Sequence, residues 1–112
     1  MKIIYLASPY SSNPKRSCEV AAKAQRWAYG NCSPCVVLAP QLCLAASFDE
    51  ATDRDRCMDV CLNMVSIATE VWYWTEEGGV MSKGVAQEVG EARARGIPIR
   101  SGQDVTRISL NG

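Results

Sequence analysis

The sequence predicts an α/β protein: a three-layer sandwich around a four- to five-stranded, mainly parallel sheet. Three observations lead there. Short β-rich runs alternate with longer stretches of helical periodicity, which is the pattern of βαβ units with right-handed crossovers. The β-rich runs end at prolines or at loops bearing Ser, Thr and Gly. The chain has 112 residues, 47% of them hydrophobic, enough for one core and one domain spanning 1–112.

Lys2–Ala7 is apolar apart from its first residue and stops at Ser8-Pro9, as expected of a strand buried on both faces. Ser11-Ser12-Asn13-Pro14 has turn chemistry. From about Lys15 to Tyr29, Val20, Ala21, Ala24, Trp27 and Ala28 recur at helical spacing, with Gly30 expected to close the helix. Val36–Ala39, stopped by Pro40, predicts a second strand, and Gln41–Ser47 reads as a short helix or an ordered loop. A helix follows over Arg54–Ala68, with Met58, Cys61, Leu62 and Val65 on one stripe. Glu70–Trp74 is the third strand and Thr75–Val80 its Gly-bearing exit loop. Ser82 suits the cap of a helix running to about Arg95, with Val85, Val89 and Ala92 facing inward. Gly96 ends it, Ile97–Arg100 is a fourth strand, and Val105–Leu110 suggests a short edge strand.

Composition narrows the chemistry. Twelve basic residues balance twelve acidic ones, so no broad field draws in a nucleic-acid polymer or an anionic membrane. The opening apolar run is too short for a signal peptide or a spanning helix, which predicts a cytoplasmic protein. There is no histidine; proton transfer therefore falls to Asp, Glu, Tyr, Lys or Cys, and His-based nucleophile pairs and most catalytic zinc sites are excluded.

In a parallel sheet, ligands bind beyond the carboxyl ends of the strands. Three segments converge there: Ser8–Ser12, Pro40–Leu42 and Thr75–Gly84. Glu88 lies one to two turns into the helix that Ser82 starts, and Gly84 offers close backbone access at a helix end rich in free amides. A carboxylate there suits covalent attack on a sugar anomeric carbon; a solvated helix Glu paired with a cation is the other reading. Tyr5 sits mid-strand, two residues before the strand's end, where its hydroxyl can orient a carboxylate or simply pack. Ser8, Ser11 and Arg16 suit a phosphate or an ordinary loop leading into a helix. Trp72 and Trp74 read as core rather than as a base-stacking platform, and Gln41 is a candidate base contact.

Taken in order, Ile4-Tyr5-Leu6-Ala7-Ser8-Pro9-Tyr10-Ser11, Leu38-Ala39-Pro40, Val71-Trp72-Tyr73-Trp74 and Ser82-x-Gly84-x-x-x-Glu88 with Ala92 and Gly96-Ile97-Pro98 resemble the nucleoside 2-deoxyribosyltransferase-like family, its short phage- and bacterium-associated branch in particular. The likeness runs from about Met1 to Arg100. It implies a flavodoxin/Rossmann-like sheet and cleavage of the N-glycosidic bond of a 2′-deoxynucleoside or its 5′-phosphate, by transfer to a second base or by hydrolysis. It assigns the nucleophile to Glu88 and its positioner to Tyr5. An assisting acid on the middle helix falls on Asp59 or Asp55, with Cys61 the competing occupant. Substrate contacts fall on Ser8, Pro9, Tyr10, Ser11, Arg16, Gln41, Ser82 and Gly84. The resemblance implies no cofactor and no metal, a small-molecule nucleoside or nucleotide as partner, and a homo-oligomer. The chain departs from the family in carrying Met81-Ser82-Lys83 where an acid often precedes the Gly, and Thr69-Glu70 where many members carry an Asp.

Two further readings come from different classes. The same cleft without a competent acid is a nucleotide-binding module that does not turn over. Cys32-x-x-Cys35 and Cys57-x-x-x-Cys61 together offer four thiolates, which suits a structural zinc site, a redox pair or plain packing.

Overall fold

The computed structural model describes residues 1–10, 13–44, 47–49 and 52–110. Four strands pair side by side: β1 (Lys2–Ala7), β2 (Cys35–Leu38), β3 (Glu70–Tyr73) and β4 (Ile99–Ser101). They form one sheet in the order β2-β1-β3-β4, and every pairing is parallel. Among the described residues, five α-helices complete the fold: α1 (Pro14–Asn31), α2 (Pro40–Cys43), α3 (Arg54–Ile67), α4 (Lys83–Ala94) and α5 (Gly102–Thr106). The result is a flavodoxin/Rossmann-like α/β sandwich.

The side-chain alternation of a strand divides the core into two layers. Ile4 and Leu6 of β1 face α1, together with Val37, Trp72 and Trp74. Tyr5 and Ala7 face the other way, against Cys61 and Val65 of α3 and Val85, Val89 and Ala92 of α4. The α1 layer is sealed by Trp27, whose ring meets that of Trp72 edge-on at 5.9 Å. The chain leaves β1 for β2 on one side and returns to β3 on the other. The strand order therefore reverses between β1 and β3, and a crevice opens at their carboxyl ends.

Helix boundaries follow local chemistry. Asn13 caps α1 by accepting from the Arg16 amide, with Pro14 at the first turn. Ser82 caps α4 by accepting from the Val85 amide at 3.2 Å. Gly96, at φ 70, takes the left-handed conformation that ends α4 and turns the chain toward β4.

Most elements shift by a residue at one end or both, as β2 does to Cys35–Leu38 and β3 to Glu70–Tyr73, and three differences from the sequence expectation have a clear physical cause. Gly30 does not end α1; the helix runs on to Asn31, and the Cys32 amide donates to Ala28 O at 2.7 Å. The fourth strand starts at Ile99 rather than Ile97, because Pro98 supplies only its carbonyl, to the Val71 amide. Val105–Leu110 forms no edge strand. Ser101 accepts from the Asp104 amide and starts α5, after which Val105, Ile108 and Leu110 pack onto the α1 layer.

Glu70, at the opposite end of the sheet from the crevice, is structural. Its carboxylate accepts from Trp72 Nε1 at 2.7 Å and pairs with Lys2 at 3.2 Å and Arg100 at 3.7 Å. Burial alone would push its pKa up, but the Trp72 hydrogen bond and the Lys2 ammonium hold it below the ordinary value.

Candidate functional site

Glu88 reaches the crevice because of its place on α4. Val85, Glu88, Val89 and Ala92 are spaced as one helical stripe, and all four are buried. The position that turns Val85 toward the sheet turns Glu88 there as well, one turn further on. Strand alternation puts Tyr5 on that same face. The two meet: the Tyr5 hydroxyl donates to Glu88 Oε2. Tyr5 is fully buried and Glu88 is 6% exposed. The reading of Glu88 as a solvated surface residue is thus overturned.

Burial makes both groups reluctant to ionise. Desolvation raises the Glu88 carboxyl from 4.5 to about 7, against the opposing pull of the Tyr5 hydrogen bond. Tyr5 is raised well above its usual value, first by burial and then by the charge of Glu88; it remains a phenol and a donor. Cys61 completes the group. Its thiol interacts with Tyr5 and is pushed up to about 12, chiefly by burial, so it stays a neutral thiol. A carboxyl half-ionised at neutral pH beside a permanent donor suits either nucleophilic or proton-transfer work.

These groups lie at a cleft of about 380 Å³. One wall is the β1 exit, Ser8-Pro9-Tyr10. A second is made by Pro40, Gln41, Leu44 and Phe48, and a third is the start of α4, with Ser82, Lys83 and Gly84. Asp55, Met58 and Cys61 of α3 close it. Ser8 and Gln41 hold each other. Gln41 Nε2 donates to Leu6 O at 3.1 Å and to Ser8 Oγ at 2.5 Å, while Ser8 and Ser17 share a hydroxyl contact at 2.8 Å. The carbonyl partner fixes which end of the Gln41 amide is nitrogen. Its Oε1 is buried and has no partner among the described residues, an arrangement that calls for a donor from elsewhere.

Most of the residues expected from sequence are brought together. Glu88, Tyr5, Ser8, Pro9, Tyr10, Gln41, Ser82 and Gly84 share this crevice. Ser11 lies outside the described residues. Gly84 is not forced by close packing, since a Cβ there would stand 3.5 Å from Met58 Cε, an ordinary contact.

Two residues are placed elsewhere. Asp59 is exposed on α3, away from the cleft lining; Asp55, one turn earlier, lines it instead. Arg16 does not face the cleft. Its guanidinium donates to Leu110 O at 2.9 Å and Ser109 O at 2.6 Å and meets Glu19 at 3.2 Å. It clamps the C-terminal segment to α1, so the phosphate role is not available to it.

Four thiolates do not gather. Cys32 and Cys35 pack on the α1 layer and Cys57 and Cys61 on the opposite one. Trp72 and Trp74 are core, 0% and 2% exposed. Sequence reasoning missed the apolar wall of Leu44 and Phe48, the buried Ser17 that supports Ser8, and the cation Arg54 in the lining. Leu44 stands four residues beyond Pro40, on the helical spacing that would have pointed to it.

Among the described residues, no helix is long and apolar enough to cross a membrane. A search of curated proteins returns no match. A family model described as a domain of unknown function, DUF7768, matches residues 2–102, which takes in all four strands of the sheet and every helix that shapes the cleft; the chain belongs to the DUF7768 family.

Proposed function

We propose that this cleft cleaves the N-glycosidic bond of a 2′-deoxynucleoside or its 5′-phosphate, with Glu88 as the nucleophile. The observation that carries this reading is the buried Glu88 carboxyl, held by the Tyr5 hydroxyl where the strand order reverses. The ionised carboxylate attacks C1′ as the C1′–N bond breaks, and the base leaves with the bonding electrons and takes a proton from water in the cleft. A second base or a water molecule then adds at C1′ and releases Glu88. Tyr5 fixes the carboxylate oxygen it donates to and leaves the other for attack. The resemblance of the β1, β3 and α4 segments to nucleoside 2-deoxyribosyltransferases supports the same assignment.

The unpartnered acceptor Gln41 Oε1 favours bases that present an exocyclic amino hydrogen to this wall. The protein is to be incubated with deoxyadenosine or deoxycytidine and a second free base, and the mixture resolved by chromatography. A new nucleoside indicates transfer, free deoxyribose indicates hydrolysis, and amino-bearing bases are expected to react faster than thymine. If neither product forms from nucleosides or their 5′-phosphates, catalysis is refuted. Binding without turnover is the second reading, favoured by the neutral thiol of Cys61, rather than a second acid, at Tyr5. Ligand-induced heat release without products identifies it.

A further inference from the structure

We infer that Cys32 and Cys35 form a redox modification site, a dithiol that small-molecule disulfides convert to an intramolecular disulfide joining the end of α1 to the start of β2. The site lies on the α1 layer, apart from the cleft. Cys32 is the residue on which α1 ends, its amide donating to Ala28 O at 2.7 Å. The Cys35 thiol donates to the same carbonyl oxygen at 3.6 Å. One acceptor therefore gathers both residues across a turn of only two intervening positions, Ser33 and Pro34. Both are half-buried, packed on the same cluster, and unbridged. Burial, and after it the nearby charge of Cys32, raises the Cys35 pKa. Lys2, its register partner on β1, pulls in the opposite direction and favours the thiolate.

The other cysteines are less suited. Cys61 is buried and held as a thiol. Cys57 is one helical turn from it on α3, where Cβ atoms stand about 5–6 Å apart, beyond the roughly 4 Å a disulfide requires. The Cys18 thiol donates to Gln41 O at 3.4 Å, and Cys43 is exposed on α2.

The chemistry balances as exchange. One cysteine thiolate attacks a sulfur of oxidised glutathione, forming a mixed disulfide and expelling one glutathione thiolate. The second cysteine thiolate attacks the protein sulfur of that mixed disulfide and expels the other. The protein loses two protons and two electrons, and the small disulfide is reduced to two thiols.

The intact protein is to be incubated with excess oxidised glutathione, quenched with acid, denatured, alkylated and digested with trypsin without reduction. The peptide Trp27–Arg54 contains Cys32, Cys35 and Cys43. It is expected to lack two hydrogens, to carry alkyl label or glutathione only at Cys43, and to form faster as pH rises. The bridge is to persist in Cys43→Ser and vanish in Cys32→Ser. Alkylation of both Cys32 and Cys35 after oxidation, glutathione retained on both, or a bridge to Cys43 or to a second chain overturns the assignment. The wild-type mapping decides the matter even if a variant misfolds.

Discussion

Glu88→Gln is expected to abolish turnover while making the protein more stable at pH 8. The carboxyl titrates near 4.5 in an unfolded chain and at about 7 in the fold. Below 4.5 it is protonated in both states and burial carries no ionisation penalty. The stability present there is lost progressively as pH rises through 7, because the unfolded state releases its proton first. Above 7 the accumulated cost is roughly 3 kcal/mol, and an amide avoids it while still accepting from Tyr5. The variant should melt roughly 10 °C higher at pH 8, and the difference should fall below about 1 kcal/mol at pH 5. In the wild type kcat/KM should rise as pH passes through about 7, and in the variant turnover should drop by about 10³-fold or more. Thermal melts at both pH values, set beside the exchange assay, check this. A stability gain that is the same at pH 5 and pH 8 contradicts the buried-carboxyl account. Retained turnover contradicts the nucleophile.

Gly102→Ala should cost about 3 kcal/mol of stability. A Cβ at this position would stand 2.4 Å from two ring atoms of Trp74, inside any normal contact. The ring cannot swing away, for it is 2% exposed and its Nε1 is tied to Ile108 O at 2.9 Å. The added methyl must displace either α5 or the end of β3. Gly90→Ala is the control: it lies on the exposed face of α4 with nothing within 4 Å of its added Cβ. There the substitution should stabilise by about 0.5–1 kcal/mol. Chemical denaturation of the two variants measures both effects. Equal midpoints would show that the Trp74 contact relaxes without cost. Since Trp74 faces away from the cleft, Gly102→Ala should leave ligand binding intact well below its melting temperature.

Much of the architecture was legible because strand and helix periods are local signals. Lys2–Ala7 matched its strand, and Ser82 was readable as a cap. Glu88 was also more legible than it first looked, since its spacing from Val85, Val89 and Ala92 already places it on the buried stripe. The C-terminal segment misled because apolar residues at 105, 108 and 110 mimic a strand, while Ser101-x-x-Asp104, the sequence signature of a helix start, was the better guide. The fate of Arg16 was not legible at all. Its partners lie at Ser109 and Leu110, and no local pattern announces a contact made across more than ninety positions. Asp59 failed for a smaller reason. One turn of α3 separates it from Asp55, and only the packed helix shows which of the two faces the cleft.

The alternation along β1 has a further consequence for how such a chain can change over generations. Ile4 and Leu6 serve one layer, and Tyr5 and Ala7 the other. Conservative swaps among the tryptophan-rich residues against α1 can drift without touching any atom near Glu88. A variant selected for heat tolerance can therefore be sought on one side of the sheet, and a variant selected for a new substrate on the other. The two searches should combine additively, because the strand backbone separates them.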